Sequence, residues 1–525
     1  MINNNILVNK FILICLFSIN IFSLEKPNVV IILTDDLGWG DVSYNGGPIP
    51  TPNIDKLSND GIRMNRFYSA PTCSPTRAAL FTGLNSLTNG IIRPLNNPTA
   101  ERYALSLEHK IMPEYFKEMG YKTALSGKWH LGMYKDEYLP RNRGFDSTYG
   151  HLGGGIGYFD HALAGRLDWH RNGEILYEDG YSTTLIADEA IRIIKNKDSS
   201  NPLFLYVAFN APHTPIEAEN NVINELLNIK DEKERKYAAN IISLDREIGK
   251  IINTIESEGI LEETIIIFFS DNGPVFDIDP IAATIAPDIL DSKGNTLGLK
   301  GSKGSAYEGG IRVPGIIYYK GVLEKSISNQ FLFSDDILPT LLTAVSYDKD
   351  RNYFTGVDRW ESLKSNNIED PINVITGNVI VNDERALFNK QWKLYYSHFI
   401  HDNNSEKIFE LYDIQNDPYE KNNLSSEHPE IFESMKNTLI NMPIVIETPY
   451  INPVQSYLYG DRYIGINDSP WLERNYKEED LPHPIVQDII FAWIIFLTFK
   501  QFIIPIFLIF IFLIYLIVKK KKLFN

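Results

Sequence analysis

The sequence predicts an α/β/α sandwich with a large, mostly parallel central sheet, followed by a smaller α+β domain and a C-terminal membrane helix. Three observations lead to this fold class. Short apolar runs recur without polar alternation, which indicates strands buried on both faces. Helical patterns lie between these runs, as expected when helices cover a parallel sheet. Each run also ends in polar residues, and ligands of such folds gather at the carboxyl ends of the strands.

The apolar runs are the predicted strands of the central sheet. They are Asn28–Leu33, Tyr121–Ser126, Leu203–Phe209 and Thr264–Phe269. The polar residues that follow these four runs include Asp35, Lys128, His213 and Asn272. We therefore expect acidic, amide and basic side chains to meet at one edge of the sheet.

Three segments between the strands have the patterns of helices. Thr51–Leu57 begins like a capped helix, with a proline at its first position and Gly61 beyond its end. Thr184–Lys195 carries apolar residues at helical spacing. Ala239–Ile255 places an isoleucine-rich stripe on one face, which we interpret as core packing.

From about Ser346 the pattern changes to short strands and turns. The candidate strands are Val374–Val381, Ala386–Tyr396 and Lys407–Tyr412, with a helix near Pro429–Ile440. We therefore assign residues 24–345 to a large domain and 346–480 to the smaller α+β domain.

Both ends of the chain predict export and membrane attachment. Residues 1–23 combine a basic start with a short apolar core, as in a signal peptide. Residues 489–518 are apolar apart from one polar interruption at Lys500–Gln501, and a span needs about 17–25 such residues. The basic tail 519–525 follows, which predicts a cytoplasmic end. We expect a protein exported through the secretory pathway or to the periplasm and anchored by this C-terminal helix.

Charge and cysteine content narrow the classes of function. The net charge of −17 argues against nucleic acid as a partner and requires a local cationic pocket for any anionic substrate. The chain has two cysteines, and cleavage of the signal peptide removes Cys15. Cys73 is then unpaired in an oxidising compartment, which favours a chemical role for it.

The stretch Pro71–Gly83 has a cysteine, a proline and an arginine directly before a helical pattern. Cys73 would lie at a helix N-terminus, where free N–H groups and the helix dipole favour an anion. Arg77 adds a permanent planar cation. Taken alone, this arrangement fits a buried structural cysteine equally well.

Asp35, Asp36, Asp271 and Asn272 offer only oxygen ligands. Hard oxygen donors suit Ca²⁺ or Mg²⁺ and argue against zinc. The mixed carboxylate and amide set favours Ca²⁺, with Mg²⁺ as the alternative. One acidic pair alone would more often cap a helix, but a second pair after another buried strand favours a metal site.

The stretch Pro71–Gly83 resembles the signature of the sulfatase family, and Gly120–His130 resembles its second signature. The resemblance runs from about residue 26 to at least residue 424. It implies an alkaline-phosphatase-like fold with the catalytic sulfatase domain at 24–345. It also implies that a formylglycine-generating enzyme converts Cys73 to formylglycine (3-oxoalanine) during export, and that Cys73 joins the four oxygen ligands at the metal.

The resemblance assigns roles to the remaining site residues. Lys128, Lys303 and His213 would balance charge on the sulfuryl oxygens, and Arg77 would help the metal to activate a hydroxyl of hydrated formylglycine. His213 would protonate the leaving alcohol, and His130 would act as the base that releases sulfate. Lys303 lies in a shorter and weaker motif, and Lys300 is the alternative lysine for the same role.

Within the family, Gly144–Gly153 and Gly157–His161 most resemble the arylsulfatase B type, which removes 4-sulfate from N-acetylgalactosamine. The expected substrate is therefore a sulfated sugar or an aryl sulfate. Two alternatives remain at this point: a phosphatase or phosphonate monoester hydrolase on the same scaffold, and an inactive membrane-anchored binding protein.

Overall fold

A computed structural model describes most of the chain from residue 26 to residue 442. The described ranges are 26–95, 104–133, 135–163, 166–276, 292–349, 353–369, 373–379, 382–399 and 406–442. Within them no helix is both long enough and apolar enough to cross a bilayer. The predicted signal peptide at 1–23, the membrane segment at 489–518 and the basic tail at 519–525 lie outside the described residues.

The described residues form seventeen strands and eleven α-helices. The strands are β1 (Asn28–Thr34), β2 (Ile62–Tyr68), β3 (Lys122–Gly127), β4 (Ser147–Gly150), β5 (Ala162–Leu163), β6 (Arg166–Leu167), β7 (His170–Arg171), β8 (Glu174–Ile175), β9 (Leu203–Ala208), β10 (Thr264–Ser270), β11 (Arg312–Val313), β12 (Gly315–Tyr318), β13 (Ser326–Phe333), β14 (Asn373–Val379), β15 (Asn382–Phe388), β16 (Trp392–Phe399) and β17 (Ile408–Asp413). The helices are α1 (Pro52–Asp60), α2 (Cys73–Thr82), α3 (Ser86–Asn89), α4 (Met112–Glu118), α5 (Ser182–Lys195), α6 (Asn220–Glu225), α7 (Glu232–Ser257), α8 (Glu308–Ile311), α9 (Ile337–Ala344), α10 (Trp360–Ser365) and α11 (Pro429–Ile440).

An eleven-stranded sheet forms the centre of the molecule. Its order is β11-β2-β12-β10-β1-β9-β3-β4-β7-β8, with β13 also paired to β2. The middle strands β10, β1, β9, β3 and β4 are parallel, as predicted. The flanking pairs β10–β12, β2–β12 and β4–β7 are antiparallel, so the sheet is mixed outside its centre.

Strand β1 shows why the central runs are apolar throughout. All seven of its residues are buried. Val29, Ile31 and Leu33 pack on one face with residues of α2 and α4. Val30 and Ile32 pack on the other face with residues of α5 and α7. Because both faces of the sheet are covered by helices, the predicted α/β/α sandwich is confirmed.

Strands β2 and β13 were not predicted from the sequence. Strand β2 reads Ile-Arg-Met-Asn-Arg-Phe-Tyr, and its polar residues are only partly buried. Strand β13 likewise mixes exposed and buried positions in its first half. Neither strand gives an uninterrupted apolar run, so the criterion that found the central strands could not detect them.

A second, four-stranded antiparallel sheet has the order β14-β15-β16-β17, and α11 packs against it. The single strand predicted at Ala386–Tyr396 is wrong: it is divided between β15 and β16 by a tight turn. Asn389 makes this turn, because its side-chain Oδ1 accepts hydrogen bonds from the backbone N–H groups of Gln391 and Trp392.

Aromatic residues join the second sheet to the first. Tyr68 of β2 and Phe333 of β13 pack against Phe388 of β15, with ring centroids 4.8 and 5.5 Å from Phe388. Tyr395 and Tyr412 belong to the same buried cluster. The two sheets therefore share a continuous core within the described residues.

Candidate active site

The parallel register brings the predicted site residues to one edge of the central sheet. Thr34 of β1 pairs with Ser270 of β10, so the acidic residues that follow the two strands lie side by side. The backbone N–H of Asp271 donates to the carbonyl of Thr34 at 3.0 Å, and that of Asp35 donates to the carbonyl of Ala211 at 3.1 Å. Backbone hydrogen bonds thus fix both acidic pairs at the strand ends.

The segment after β3 approaches the same edge closely. Gly127 has φ +114°, and a Cβ atom there would lie 1.9 Å from the carbonyl oxygen of Ala208. The next N–H, that of Lys128, donates to this same carbonyl at 2.8 Å. A glycine is therefore required for Lys128 to enter the site at this position.

Helix α2 presents Cys73 at its first residue, and all ten residues of the helix are buried. The Thr76 hydroxyl donates to the carbonyl of Asp271 at 2.6 Å. The Ser69 hydroxyl, in the loop before the helix, donates to the carbonyl of Ser270 at 2.6 Å. These bonds hold the helix N-terminus against the end of β10.

Cys73 lies directly over the first acidic pair. Its Sγ is 3.5 Å from Oδ1 of Asp35, and the residue is only 2% exposed. Burial raises the pKa of the thiol to about 12, although Lys128 and Lys303 oppose this shift. The unmodified sulfur is therefore protonated at neutral pH.

The oxygen donors converge beside this sulfur. The ligand atoms of Asp35, Asp36, Cys73 and His213 all lie within 4.8 Å of one another. Asn272 completes the group, because its Nδ2 donates to Oδ1 of Asp36 at 2.6 Å. Its own Oδ1 is buried and has no hydrogen-bond partner among the described residues. Carboxylate and amide oxygens are the ligands that Ca²⁺ and Mg²⁺ prefer.

Asp271 lies next to these donors and is held by Arg77. Its Oδ2 accepts two hydrogen bonds from the guanidinium, at 3.0 and 2.7 Å. Its Oδ1 is 3.4 Å from the backbone nitrogen of Asp36. Arg77 also donates to the carbonyl of Lys128 at 3.0 Å. Arg77 thus connects the ends of β10 and β3 under the site.

Two lysines pair with the other two carboxylates. Lys128 Nζ is 2.6 Å from Oδ2 of Asp35, and both side chains are fully buried. Lys303 Nζ is 2.6 Å from Oδ1 of Asp36, with 19% of the lysine side chain exposed. Burial alone would raise the pKa of Asp35 and Asp36, but the cations outweigh it and both pKa values are lowered. Both carboxyls are therefore ionised.

Lys300, the alternative to Lys303, contacts residues of the second sheet. Its Nζ donates to the hydroxyl of Tyr412 at 2.9 Å and to Oε2 of Glu410 at 3.3 Å. It also lies 3.8 Å from the centre of the Tyr307 ring. The structure therefore places Lys303, and not Lys300, beside Asp36.

The two histidines occupy different depths. His130 is 2% exposed, and neither ring nitrogen has a hydrogen-bond partner among the described residues. Burial, with Lys128 and Arg77, lowers its pKa well below the usual value, so the ring is neutral. His213 lies nearer solvent: its Nε2 is 3.8 Å from Oδ2 of Asp36, and its side chain is 20% exposed.

Three residues that position the site were not predicted from the sequence. The hydroxyl of Tyr206 lies 3.3 Å from Arg77, and the Ser74 hydroxyl donates to the carbonyl of His130 at 3.0 Å. Thr76, described above, is the third. Tyr206 carries a hydroxyl inside an otherwise apolar strand. Because a buried hydroxyl needs a hydrogen-bond partner, this residue could have been predicted to contact a polar group of the site.

The site therefore combines carboxylates, three cations and two imidazoles around one residue at a helix N-terminus. Such a set can hold a hard cation and an anionic group together, and can transfer protons at neutral pH. All predicted site residues lie in this one cluster.

A family model described as Sulfatase matches residues 27–347 of this chain. The chain belongs to the sulfatase family. Arylsulfatase J of Mus musculus is 30% identical over 509 residues, which cover 87% of this chain and 81% of the relative. N-acetylgalactosamine-6-sulfatase of Mus musculus is 30% identical over 377 residues, which cover 63% of this chain and 69% of the relative.

A solved structure has the same fold. The crystal structure of Ps i-CgsB in complex with k-i-k-neocarrahexaose matches with a TM-score of 0.72 and 27% sequence identity, over 84% of this chain and 99% of that chain. Together with the family match, the named sulfatase relatives identify this sulfatase as a sulfuric ester hydrolase. They do not separate the arylsulfatase B type from other sulfatases, so the subtype stays a prediction.

The pair between Arg77 and Asp271 predicts a stability effect. Arg77→Met leaves the Asp271 carboxylate buried without its cation, which should lower the free energy of unfolding by about 3–5 kcal/mol. Tyr206→Phe is the matched control, because it removes only one 3.3 Å contact to the same guanidinium and should cost about 0.5–1.5 kcal/mol. Urea unfolding of the three proteins measures both values. Equal losses in the two variants would contradict the assigned role of Arg77.

Proposed function

We propose that this sulfatase removes sulfate from a sulfated carbohydrate, using a formylglycine derived from Cys73 and a bound divalent cation. One observation carries the proposal: Cys73 lies within 4.8 Å of the Asp35 and Asp36 ligand atoms, and Lys128 and Lys303 are paired to those same carboxylates. The residue to be converted, the oxygen donors and the cations for an anionic ester therefore share one small space.

The donor set fits a hard cation. Asp35, Asp36, Asp271 and Asn272 would hold Ca²⁺ or Mg²⁺. Oδ1 of Asn272, which is buried and has no hydrogen-bond partner within the described ranges, supports this assignment. When bound, the cation supplies positive charge that polarises an oxygen and lowers the pKa of a hydroxyl. His213 also lies within reach of this group, although it was not predicted as a ligand.

The position of residue 73 suits the proposed nucleophile. Hydrated formylglycine supplies two hydroxyls on one carbon, one to attack sulfur and one to lose a proton afterwards. Residue 73 is the first residue of α2, where the positive end of the helix dipole favours negative charge on the attacking oxygen.

The lysines and Arg77 would act by charge and position. Lys128 and Lys303 would donate hydrogen bonds to the sulfuryl oxygens, where negative charge must be stabilised during transfer. Arg77 donates hydrogen bonds to Asp271, the Lys128 carbonyl and Tyr206. In this proposal it holds those groups in place, so its effect on the nucleophile is indirect.

The histidines would handle the protons. His130 is a neutral, buried imidazole whose ring nitrogens have no hydrogen-bond partner in the described part of the chain, so it can accept the proton whose removal releases sulfate. His213 lies on the solvent side of Asp36. A leaving alcohol would depart past it. Its Nδ1 donates to the carbonyl of Thr214 at 2.6 Å, so Nε2 would give a proton to the alcohol oxygen only from the doubly protonated ring.

The carbohydrate substrate rests on the names of relatives. One is an N-acetylgalactosamine-6-sulfatase, and the structural match was solved with an oligosaccharide. The segments Gly144–Gly153 and Gly157–His161 add the resemblance to the arylsulfatase B type. We propose an exported enzyme held at a membrane by residues 489–518, with conversion of Cys73 by a formylglycine-generating enzyme during export.

Sulfate release tests the proposed reaction. The purified enzyme should hydrolyse an aryl sulfate and release sulfate from a sulfated sugar, and Cys73→Ala should abolish both activities because the nucleophile is lost. Thermal unfolding of the variant controls for its fold. Phenyl phosphate serves as the competing substrate: faster phosphate than sulfate release would favour the phosphatase alternative.

Removal of divalent ions tests the proposed cofactor. Treatment with a chelator should abolish sulfate release, because it removes the positive charge of the cation that polarises an oxygen and lowers the pKa of a hydroxyl. Added Ca²⁺ or Mg²⁺ should restore the activity. Calorimetric titration of the chelated protein should show Ca²⁺ binding that Asp36→Asn weakens. Full activity in the chelated protein would contradict the metal assignment.

A further inference from the structure

The turn that carries Lys303 is held from two sides. On the site side, the backbone N–H of Lys303 donates to the carbonyl of Pro274 at 2.9 Å, and that of Gly304 donates to the carbonyl of Pro71 at 2.8 Å. Pro274 lies just after Asn272, and Pro71 lies just before Cys73. The other side of the turn faces the second sheet.

Glu384 of β15 makes the first contact from the second sheet. Its Oε2 accepts a hydrogen bond from the backbone N–H of Ala306 at 2.8 Å and another from the Ser305 hydroxyl at 3.2 Å. Glu384 is only 9% exposed. A buried carboxylate that accepts two hydrogen bonds from one turn is a strong, charge-assisted attachment. The two donors, Ser305 and Ala306, lie two and three residues after Lys303.

A fully buried charge cluster holds the next residues. Lys393 of β16 lies between Oε1 of Glu308 at 3.0 Å and Oε1 of Glu420 at 2.7 Å, and all three side chains are inaccessible to solvent. The backbone N–H of Glu308 donates to Oε2 of Glu420 at 2.7 Å. Replacement of one partner would leave an uncompensated buried charge, so this cluster resists displacement of the turn.

We propose that Glu384 is a positioning residue for the sulfatase reaction and that it acts through Lys303. The Lys303 amine contacts Asp36 at the site, whereas the backbone of its turn is attached to a different sheet. The second sheet thereby sets where the amine meets the sulfuryl group. This inference rests on the proposed function of Lys303 and extends it to a residue that does not touch the substrate.

The variants follow from the geometry. Glu384→Ala removes both attachments, and Glu384→Gln keeps an oxygen that can accept from Ala306 or Ser305. Asp383→Ala is the matched control on the same strand, because among the residues that the structure describes Asp383 forms its ion pair with the neighbouring Arg385, and this pair is partly exposed. Ser305→Ala removes one of the two bonds and replaces Glu384→Ala if that variant does not fold.

Activity gives the first measurement. Glu384→Ala should lower kcat/KM for an aryl sulfate about 10- to 100-fold, as expected for a misplaced catalytic group. Glu384→Gln should recover most of this loss, Asp383→Ala should match the wild type, and Ser305→Ala should show a smaller loss. In the Lys303→Ala background, Glu384→Ala should add less than about a threefold loss, because coupled residues are not additive. Equal losses in both backgrounds would overturn the proposal.

Lysine labelling gives a second measurement that is independent of sulfatase activity. Brief acetylation followed by peptide mass spectrometry reports how accessible the Lys303 amine is. Glu384→Ala, or Ser305→Ala in its place, should speed acetylation of Lys303, whereas Asp383→Ala should leave it unchanged. If the wild-type protein has no sulfatase activity, the proposed function is refuted. The acetylation of Lys303 alone then decides whether Glu384 positions this lysine. Unchanged acetylation of Lys303 in the Glu384 and Ser305 variants would overturn the positioning role of Glu384.

Discussion

Three cation–carboxylate pairs determine the arrangement of this sulfatase site. Lys128 with Asp35 and Arg77 with Asp271 are fully buried, and Lys303, the partner of Asp36, is partly exposed. Three carboxylates at the ends of adjacent strands would repel one another in a buried space, and each is costly to bury without a partner. The cations come from three separate parts of the chain, so the charge balance requires β1, β3, β10, helix α2 and the Lys303 turn to meet. The same balance leaves a pocket that suits an anionic ester and a divalent cation.

The described part of the second sheet supports this arrangement although it contributes no residue to the cluster around Cys73. Its Glu384, Lys393 and Glu410 contact the segment from Lys300 to Glu308, and its aromatic side chains extend the core of the first sheet. The lysine that pairs with Asp36 thus lies on a short turn fixed between two sheets. A flexible turn would lose the fixed distance that electrostatic stabilisation of a transition state needs.

The central strands and the site residues were predictable because their signals are local. Mostly apolar runs identify β1, β3, β9 and β10, and short motifs identify Cys73, Lys128 and His130. Strand β2 escaped prediction because polar residues interrupt it, and the β15–β16 turn escaped because Asn389 replaces the usual glycine signal with a side-chain hydrogen bond. The contact of Glu384 with Ala306 spans 78 positions, and no spacing rule reveals such a pair.

The chemical state of residue 73 is the most direct test of this account. Cys73 is a buried, protonated thiol beside carboxylates, which makes it a poor nucleophile unless it is converted. Mass spectrometry of the peptide containing residue 73, from protein purified from its natural source and treated with a hydrazine reagent, measures this state. The account predicts an aldehyde that forms a hydrazone in most of the protein. An unmodified thiol throughout an active preparation would contradict it.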